Sequence, residues 1–205
     1  MFLYDSNHIT MIPIAILEKY NATLKTYSKG EVVFRENELA QFYFQIKMGK
    51  LKMFNHSVDG KAFIQGFFEA GKSFGEPPLF QDSHYPACSQ CITDCEIYIL
   101  AKESFFELLA NHPKLHLALT KILCKRMIYK AKIIQELSIH PPEHRILTLL
   151  NHFKEATNTT ELYEVKFTRQ QISDMTGLRV ETVIRTIKQL EKDEKLILKR
   201  RKVFL

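Results

Sequence analysis

The sequence has no long hydrophobic run. Its longest clean apolar stretch is residues 11–17, which contains Pro13, far short of the ~20 residues that a membrane helix needs. No basic stretch leads into a long apolar core near the N-terminus, so no secretory signal is expected and the chain reads as cytoplasmic. Cysteine is sparse: four in 205 residues, one of them in a helical pattern, do not make a secreted disulfide scaffold. A glycine-rich phosphate loop, a Gly-x-Ser-x-Gly elbow and a His-Glu-x-x-His pair are all missing, so nothing argues for an enzyme.

What is present is ordinary globular material, 45% apolar and 25% charged, which excludes wholesale disorder. The net charge of +6 is unevenly spread: residues 1–110 hold 10 Lys+Arg against 13 Asp+Glu, and residues 111–205 hold 19 against 10. An acidic part followed by a strongly basic one suggests that only the second meets a polyanion, against the plainer reading of a solvated lysine surface.

Between Asn21 and Leu100 the chain offers short aromatic and β-branched segments: residues 31–34, 42–46, 50–54, 62–68 and 96–100. Gly30, Gly49, Gly60 and Gly71 fall between them, and Val58-Asp59-Gly60-Lys61 has the composition of a hairpin turn. This spacing predicts an antiparallel sandwich or barrel. From Pro113 the period changes. Leu115, Leu119, Leu123, Met127, Ala131, Ile134 and Leu137 recur three or four apart, which predicts one long helix over 113–138. Its narrow apolar stripe would pack on its own barrel or on a second copy. Consecutive prolines at 141 and 142 end it, and a compact module comes next. That module reads as a helix over 143–156, a polar loop over 157–161, a strand over 162–167, helices over 169–176 and 180–193, and closing strands over 196–199 and 202–205.

The module carries the sharpest motif. Thr168 and Gln171 have capping-box spacing, Gly177 suits a left-handed helix end, and the next helix turns Val183, Ile187 and Leu190 to one face. This is a helix-turn-helix pattern, whose second helix offers Val180, Glu181, Ile184, Arg185 and Lys188 outward. Arg185 suits the O6 and N7 of guanine, Glu181 a cytosine amino group, and Val180 and Ile184 thymine methyls. Thr168, Arg169, Arg179, Thr182, Lys188, Arg200 and Arg201 are candidates for double-stranded DNA phosphates, the last two on a short wing, Lys199-Arg200-Arg201-Lys202.

With these residues in view, the sequence resembles the Crp–Fnr family of bacterial transcription regulators over roughly residues 20–205. Lys29-Gly30-Glu31-Val32-Val33-Phe34 carries the likeness, as do Phe74-Gly75-Glu76 with Leu79-Phe80 and the stretch from Phe167 to Ile197. Within it, Val180-Glu181-Thr182-Val183-Ile184-Arg185 is similar to the Fnr-type reading helix. The cyclic-AMP receptor has Arg in place of Val180, and the Fnr type has a small polar residue in place of Ile184. The resemblance implies an α+β fold: an N-terminal, jelly-roll-like antiparallel β-roll over 1–112, a dimerisation helix and hinge over 113–140, and a C-terminal winged helix-turn-helix over 141–205. It also implies a homodimer on an inverted-repeat operator, with RNA polymerase as a further partner. The seam of that dimer is expected at Leu123, Met127, Ile134 and Leu137. Input to the β-roll would shift the pairing of the long helices and reorient the two DNA modules.

In the family, cyclic nucleotides are held by a Gly-Glu and, about ten residues later, an Arg-Ser, with polar residues of the long helix at the base. Here Gly75 and Glu76 remain, Pro86 and Ala87 replace Arg-Ser, and Lys130 and Ala131 stand at the helix positions. Without the arginine, the main counter-charge to the phosphate is gone, so cyclic AMP is not expected as the effector and the cofactor stays unassigned. Gly75 and Glu76 would then serve only the turn of the β-roll, and Lys130 would reach for a ligand or a carboxylate. Cys88, Cys91, Cys95 and Cys124 raise a rival reading, a thiol-redox or metal-cofactor sensor acting through protein contacts. If residues 87–92 form a strand, Cys88 and Cys91 point to opposite faces, which favours ordinary packing. No metal site is expected: His112 and His116 lack a matching third ligand, and His140 and His144 read as linker residues.

Overall fold

Short strands rich in Phe, Tyr and Ile gain most by burying one face against each other, and the N-terminal part does this with two antiparallel sheets. In a computed structural model of the chain, residues 11–56, 62–157, 161–200 and 202–205 are described, apart from the side chains of 132, 133, 136–139 and 156. The elements run α1 (Ile14–Lys19), β1 (Thr23–Tyr27), β2 (Val32–Phe34), β3 (Phe42–Met48), β4 (Lys50–His56), β5 (Ala62–Glu69), β6 (Ser73–Phe74), α2 (Pro77–Phe80), β7 (Cys88–Cys91) and β8 (Cys95–Ala101). They continue with α3 (Lys102–Asn111), α4 (Pro113–Ile139), α5 (Pro142–Ala156), α6 (Arg169–Thr176), α7 (Val180–Lys192), β9 (Ile197–Lys199) and β10 (Lys202–Phe204).

The sheets have strand orders β1-β8-β3-β6 and β2-β7-β4-β5. Phe34, Phe44, Phe74 and Tyr85 stack between them, with Phe34 and Tyr85 centroids 3.8 Å apart. Gly49, between β3 and β4, has φ +95°, and a Cβ there would sit 2.3 Å from the Asp94 carbonyl oxygen, so only glycine closes this turn. The expected hairpin turn at 58–61 lies outside the described residues.

The α+β architecture matches the expectation. The sequence points to neither β1 nor β6, and to β7 only conditionally, within 87–92. In β1 only Tyr27 is buried, so no apolar alternation announces it; its place comes from pairing with β8, Thr23 opposite Ile99 through Tyr27 opposite Cys95. β6 has two residues, and β7 is mostly polar. Conversely, the strand expected at 162–167 is an extended segment with one bridge, Glu164 to Phe204, and bonds from Tyr163 N to Leu205 O and Val165 N to Val203 O, both 2.9 Å.

The long helix ties the two parts of the chain together. α4 lays Leu115, Leu119, Ile122 and Leu123 on the β-roll core. Beyond the prolines, α5 then folds back along it. Tyr129 and His152, each ten residues from the facing ends of α4 and α5, have ring centroids 4.4 Å apart. The C-terminal module therefore does not stand apart: its core of Ile146, Leu149, Leu150, Phe153, Ile172, Val183, Ile187 and Leu190 is continuous with Phe54, Ile64 and Phe67 of β4 and β5. Phe167 joins them, 5.8 Å from Phe67 and 4.3 Å from Phe153.

Candidate nucleic-acid interface

The helix-turn-helix forms for local reasons. Thr168 Oγ1 accepts from Gln171 N–H (3.1 Å) and Gln171 Oε1 accepts from Thr168 N–H (2.9 Å), a reciprocal cap on two otherwise orphaned amides. Gly177 ends α6 with φ +67°. Ile172, Met175, Val183, Ile187 and Leu190 are buried. That leaves Glu181, Ile184, Arg185 and Lys188 exposed along the opposite side of α7, with Val180 and Thr182 half-buried at its first turn. Ile184, 42% exposed, is an apolar group without apolar cover, as a thymine-contacting residue requires.

The flanking cations are placed unequally. Arg179 is exposed at the start of α7, and Arg200 is exposed with φ +48° between β9 and β10. Arg201 lies outside the described residues. Lys202 forms an ion pair with Glu164 (2.6 Å), so that end of the wing is partly neutralised. Arg169 is half-buried; desolvation lowers its pKa from the usual arginine value.

In the β-roll cassette the structure corrects two expectations. Glu76 does more than shape a turn. It is fully buried and paired with Arg126 of α4, whose Nη1 lies 2.8 Å from Oε2 and 3.0 Å from Oε1. Arg126 Nη2 also donates to the Ser73 carbonyl (2.6 Å), Ser73 Oγ donates to Glu76 Oε1, and the guanidinium lies over the Phe68 ring. Burial, with this carboxylate nearby, holds the Tyr43 phenol well above its ordinary pKa. The sequence reading missed Arg126 because it stands 50 residues from Glu76; one arginine on the roll-facing stripe was the only signal.

Among the described residues, Lys130 pairs with no carboxylate. Its Nζ donates to Gln65 Oε1 (3.3 Å), Gln65 Nε2 donates to Asn55 Oδ1 (2.5 Å), and Asn55 Nδ2 donates to the Pro86 carbonyl (2.6 Å). Desolvation and then the Arg126 charge lower the Lys130 pKa. Ala87 is buried and Pro86 exposed, and Gly75 (φ +76°) brings its backbone against the Phe34 ring. Ala131 is exposed.

The far side of α4 is apolar and open. Met127, Ile128 and Ile134 are 66%, 60% and 64% exposed, and Leu117 is exposed too. Leu123 differs from the other expected seam residues, since it packs partly on the β-roll, and the Leu137 side chain lies outside those described. Among the described residues, no helix is long and apolar enough to cross a membrane. No group of three or more His, Cys, Asp or Glu in them is placed to hold a metal ion.

Comparison with known proteins agrees with both halves. Residues 24–112 match the cyclic nucleotide-binding domain family, and residues 144–205 match the Crp-like helix-turn-helix domain family. The chain is 31% identical over 185 residues to the cAMP-activated global transcriptional regulator CRP of Haemophilus influenzae, covering 88% of this chain and 79% of that protein. It is 24% identical over 205 residues to the HTH-type transcriptional regulator ArcR of Staphylococcus epidermidis, covering 95% and 87%. Among solved structures, the c-di-GMP responsive global regulator CLP of Xanthomonas campestris superposes with TM-score 0.79 at 20% identity, covering 94% and 99%. A CooA variant from Carboxydothermus hydrogenoformans gives TM-score 0.80 at 20% identity, covering 100% and 93%.

The four thiols are free and differently placed. Cys91 and Cys95 are buried in the β-roll core, Cys88 is half-buried on the opposite face of β7, as strand alternation requires, and Cys124 is exposed on α4. Burial, with Cys95 alongside, pushes the Cys91 thiol up to about 12, so almost none of it is thiolate near neutrality. Mass-resolved alkylation of the native protein at pH 8 is therefore expected to label the half-buried Cys88 before Cys91, and Cys91 only on unfolding. Early labelling of Cys91 would contradict this order.

Proposed function

The chain belongs to the Crp–Fnr family of transcription regulators, and on that premise we propose that it is a homodimer that reads an inverted-repeat DNA operator with two copies of α7 and does not use cyclic AMP. The observation that carries the proposal is the division of α7 into a buried apolar face and an exposed face bearing Glu181, Ile184, Arg185 and Lys188. Arg185 and Glu181, four apart, present a donor fork and an acceptor to the major groove, with Val180 and Ile184 beside them. Thr168, Arg169, Arg179, Thr182, Lys188 and the wing arginines Arg200 and Arg201 supply phosphate contacts, which set register. RNA polymerase is the further partner that a regulator of this family implies.

The pairing surface is the open face of α4. Leu117, Cys124 and Ala131 recur every seven residues, as do Thr120, Met127 and Ile134, all of them exposed. A seven-residue repeat of this kind winds two parallel helices together. Leu123 and Ile128 then flank the repeat and extend its apolar width across the two copies. Helix-turn-helix dimers place their reading helices in successive major grooves about 34 Å apart, so half-sites about one turn apart are expected. The roll-facing side of α4 holds Arg126 and Tyr129, so pairing needs no rearrangement of the cassette.

The proposal for the effector rests on Glu76. Its carboxylate oxygens already accept from Arg126 and Ser73, and the family's phosphate-binding pair is replaced by Pro86 and Ala87. A cyclic nucleotide would have to share this buried carboxylate with Arg126 and Ser73, and would find no arginine at residue 86 for its phosphate.

Three measurements test the parts separately. In binding selections on random duplex, Arg185→Ala should cost about 1–3 kcal/mol and relax preference at one base pair, while Arg169→Ala should weaken all sequences alike. A changed preferred base in Arg169→Ala would reverse the assigned roles. By sedimentation, Met127→Glu should give monomers and lower inverted-repeat affinity about 100-fold; a dimer that survives this charge pairs elsewhere. Calorimetry with cyclic AMP should show no sub-micromolar binding, and finding it would overturn the effector assignment.

A further inference from the structure

We propose that Ser173 is a positioning residue for base reading: its buried hydroxyl ties α6 to the turn and thereby sets the direction in which α7 leaves it. Ser173 is 7% exposed, and its Oγ donates to the Leu178 carbonyl at 2.6 Å. A hydroxyl inside a helix ordinarily returns to a carbonyl of its own preceding turn. Thr176 does this, donating to Ile172 O at 2.7 Å. Ser173 instead reaches forward five residues, past the helix end and past Gly177.

The start of α7 needs such a tie. α6 has its reciprocal cap at Thr168, whereas Arg179 at the start of α7 makes no side-chain bond to the amides of its first turn. Gly177, with φ +67°, permits the turn without stiffening it. Leu178 lies directly before Arg179 and two residues before Val180, so the bond acts at the root of the reading helix. A tilt of about 10° at that root moves the Arg185 guanidinium by roughly 2 Å, given a rise of 1.5 Å per residue. Bidentate base contacts fail at that displacement, while long phosphate-binding side chains adapt to it. Ser173 thus acts on sequence discrimination through α7 without touching DNA.

This inference rests on α7 as the reading helix, and its test separates the two. Full-length Ser173→Ala removes one oxygen and keeps the Cβ. The affinity ratio of selected to random duplex should fall about tenfold, with random-duplex affinity within about twofold of the parent and the salt slope unchanged. In DNA-free protein, amide exchange at residues 183–187 should quicken about tenfold. Ser173→Thr, which keeps the hydroxyl, should restore both. A lower melting temperature with equal loss on both duplexes and unchanged exchange would make Ser173 merely structural and overturn the proposal. If the parent prefers no duplex, the base-reading assignment falls, and the exchange measurement still decides whether Ser173 holds the turn.

Discussion

The buried pair of Glu76 and Arg126 organises the molecule. Two opposite charges taken out of water must satisfy each other closely, and here the geometry is completed by the hydroxyl and carbonyl of Ser73. The pair joins the short α2 end of the β-roll to the middle of α4, so it sets the rotation of that helix about its own axis. With Arg126 turned inward, Leu119 and Ile122 meet the roll core, and Met127 and Ile134 are left facing away. A helix surface that is apolar on both sides thus acquires one side packed against its own chain and one left open.

A second constraint fixes the reading module. β4 and β5 turn one face into the roll and offer Phe54, Ile64 and Phe67 outward, where they merge with the core beneath α5, α6 and α7. The prolines at 141 and 142 break the helix, and the contact of Tyr129 with His152 brings α5 back along α4. β5 consequently touches both partners: Gln65 bonds to Lys130 of α4, and Phe67 stacks on Phe167 before α6. A change in the cassette has a continuous packed route to the helix-turn-helix through this hairpin.

Much of this was legible in the residues. The cap at Thr168, the left-handed Gly177, the period of α7 and the length of α4 all come from neighbours within a few positions, and the structure has each of them. The opposite orientation of Cys88 and Cys91 needs strand alternation alone. Where local signal was weak, reading failed: β1 is nearly all exposed, and residues 162–167 bond to the chain end without forming a full strand. Lys130 looked like a cation in search of an anion, but its partner is a neutral carboxamide on β5. Leu123 and Met127 looked equivalent on a helical wheel, and only the β-roll decides that the first is partly covered and the second open.

The elements, the family and the outer face of α7 are written in the residue order, because backbone sterics, capping and the periods of helix and strand act over a few residues. The partner of Glu76, the free side of α4, the burial of Cys91 and Cys95 and the merging of the two cores arise only on packing. Each of these depends on residues tens of positions apart meeting in space. No local pattern specifies such a meeting; it is set by the order in which strands pair and by which face of each element is left to bury.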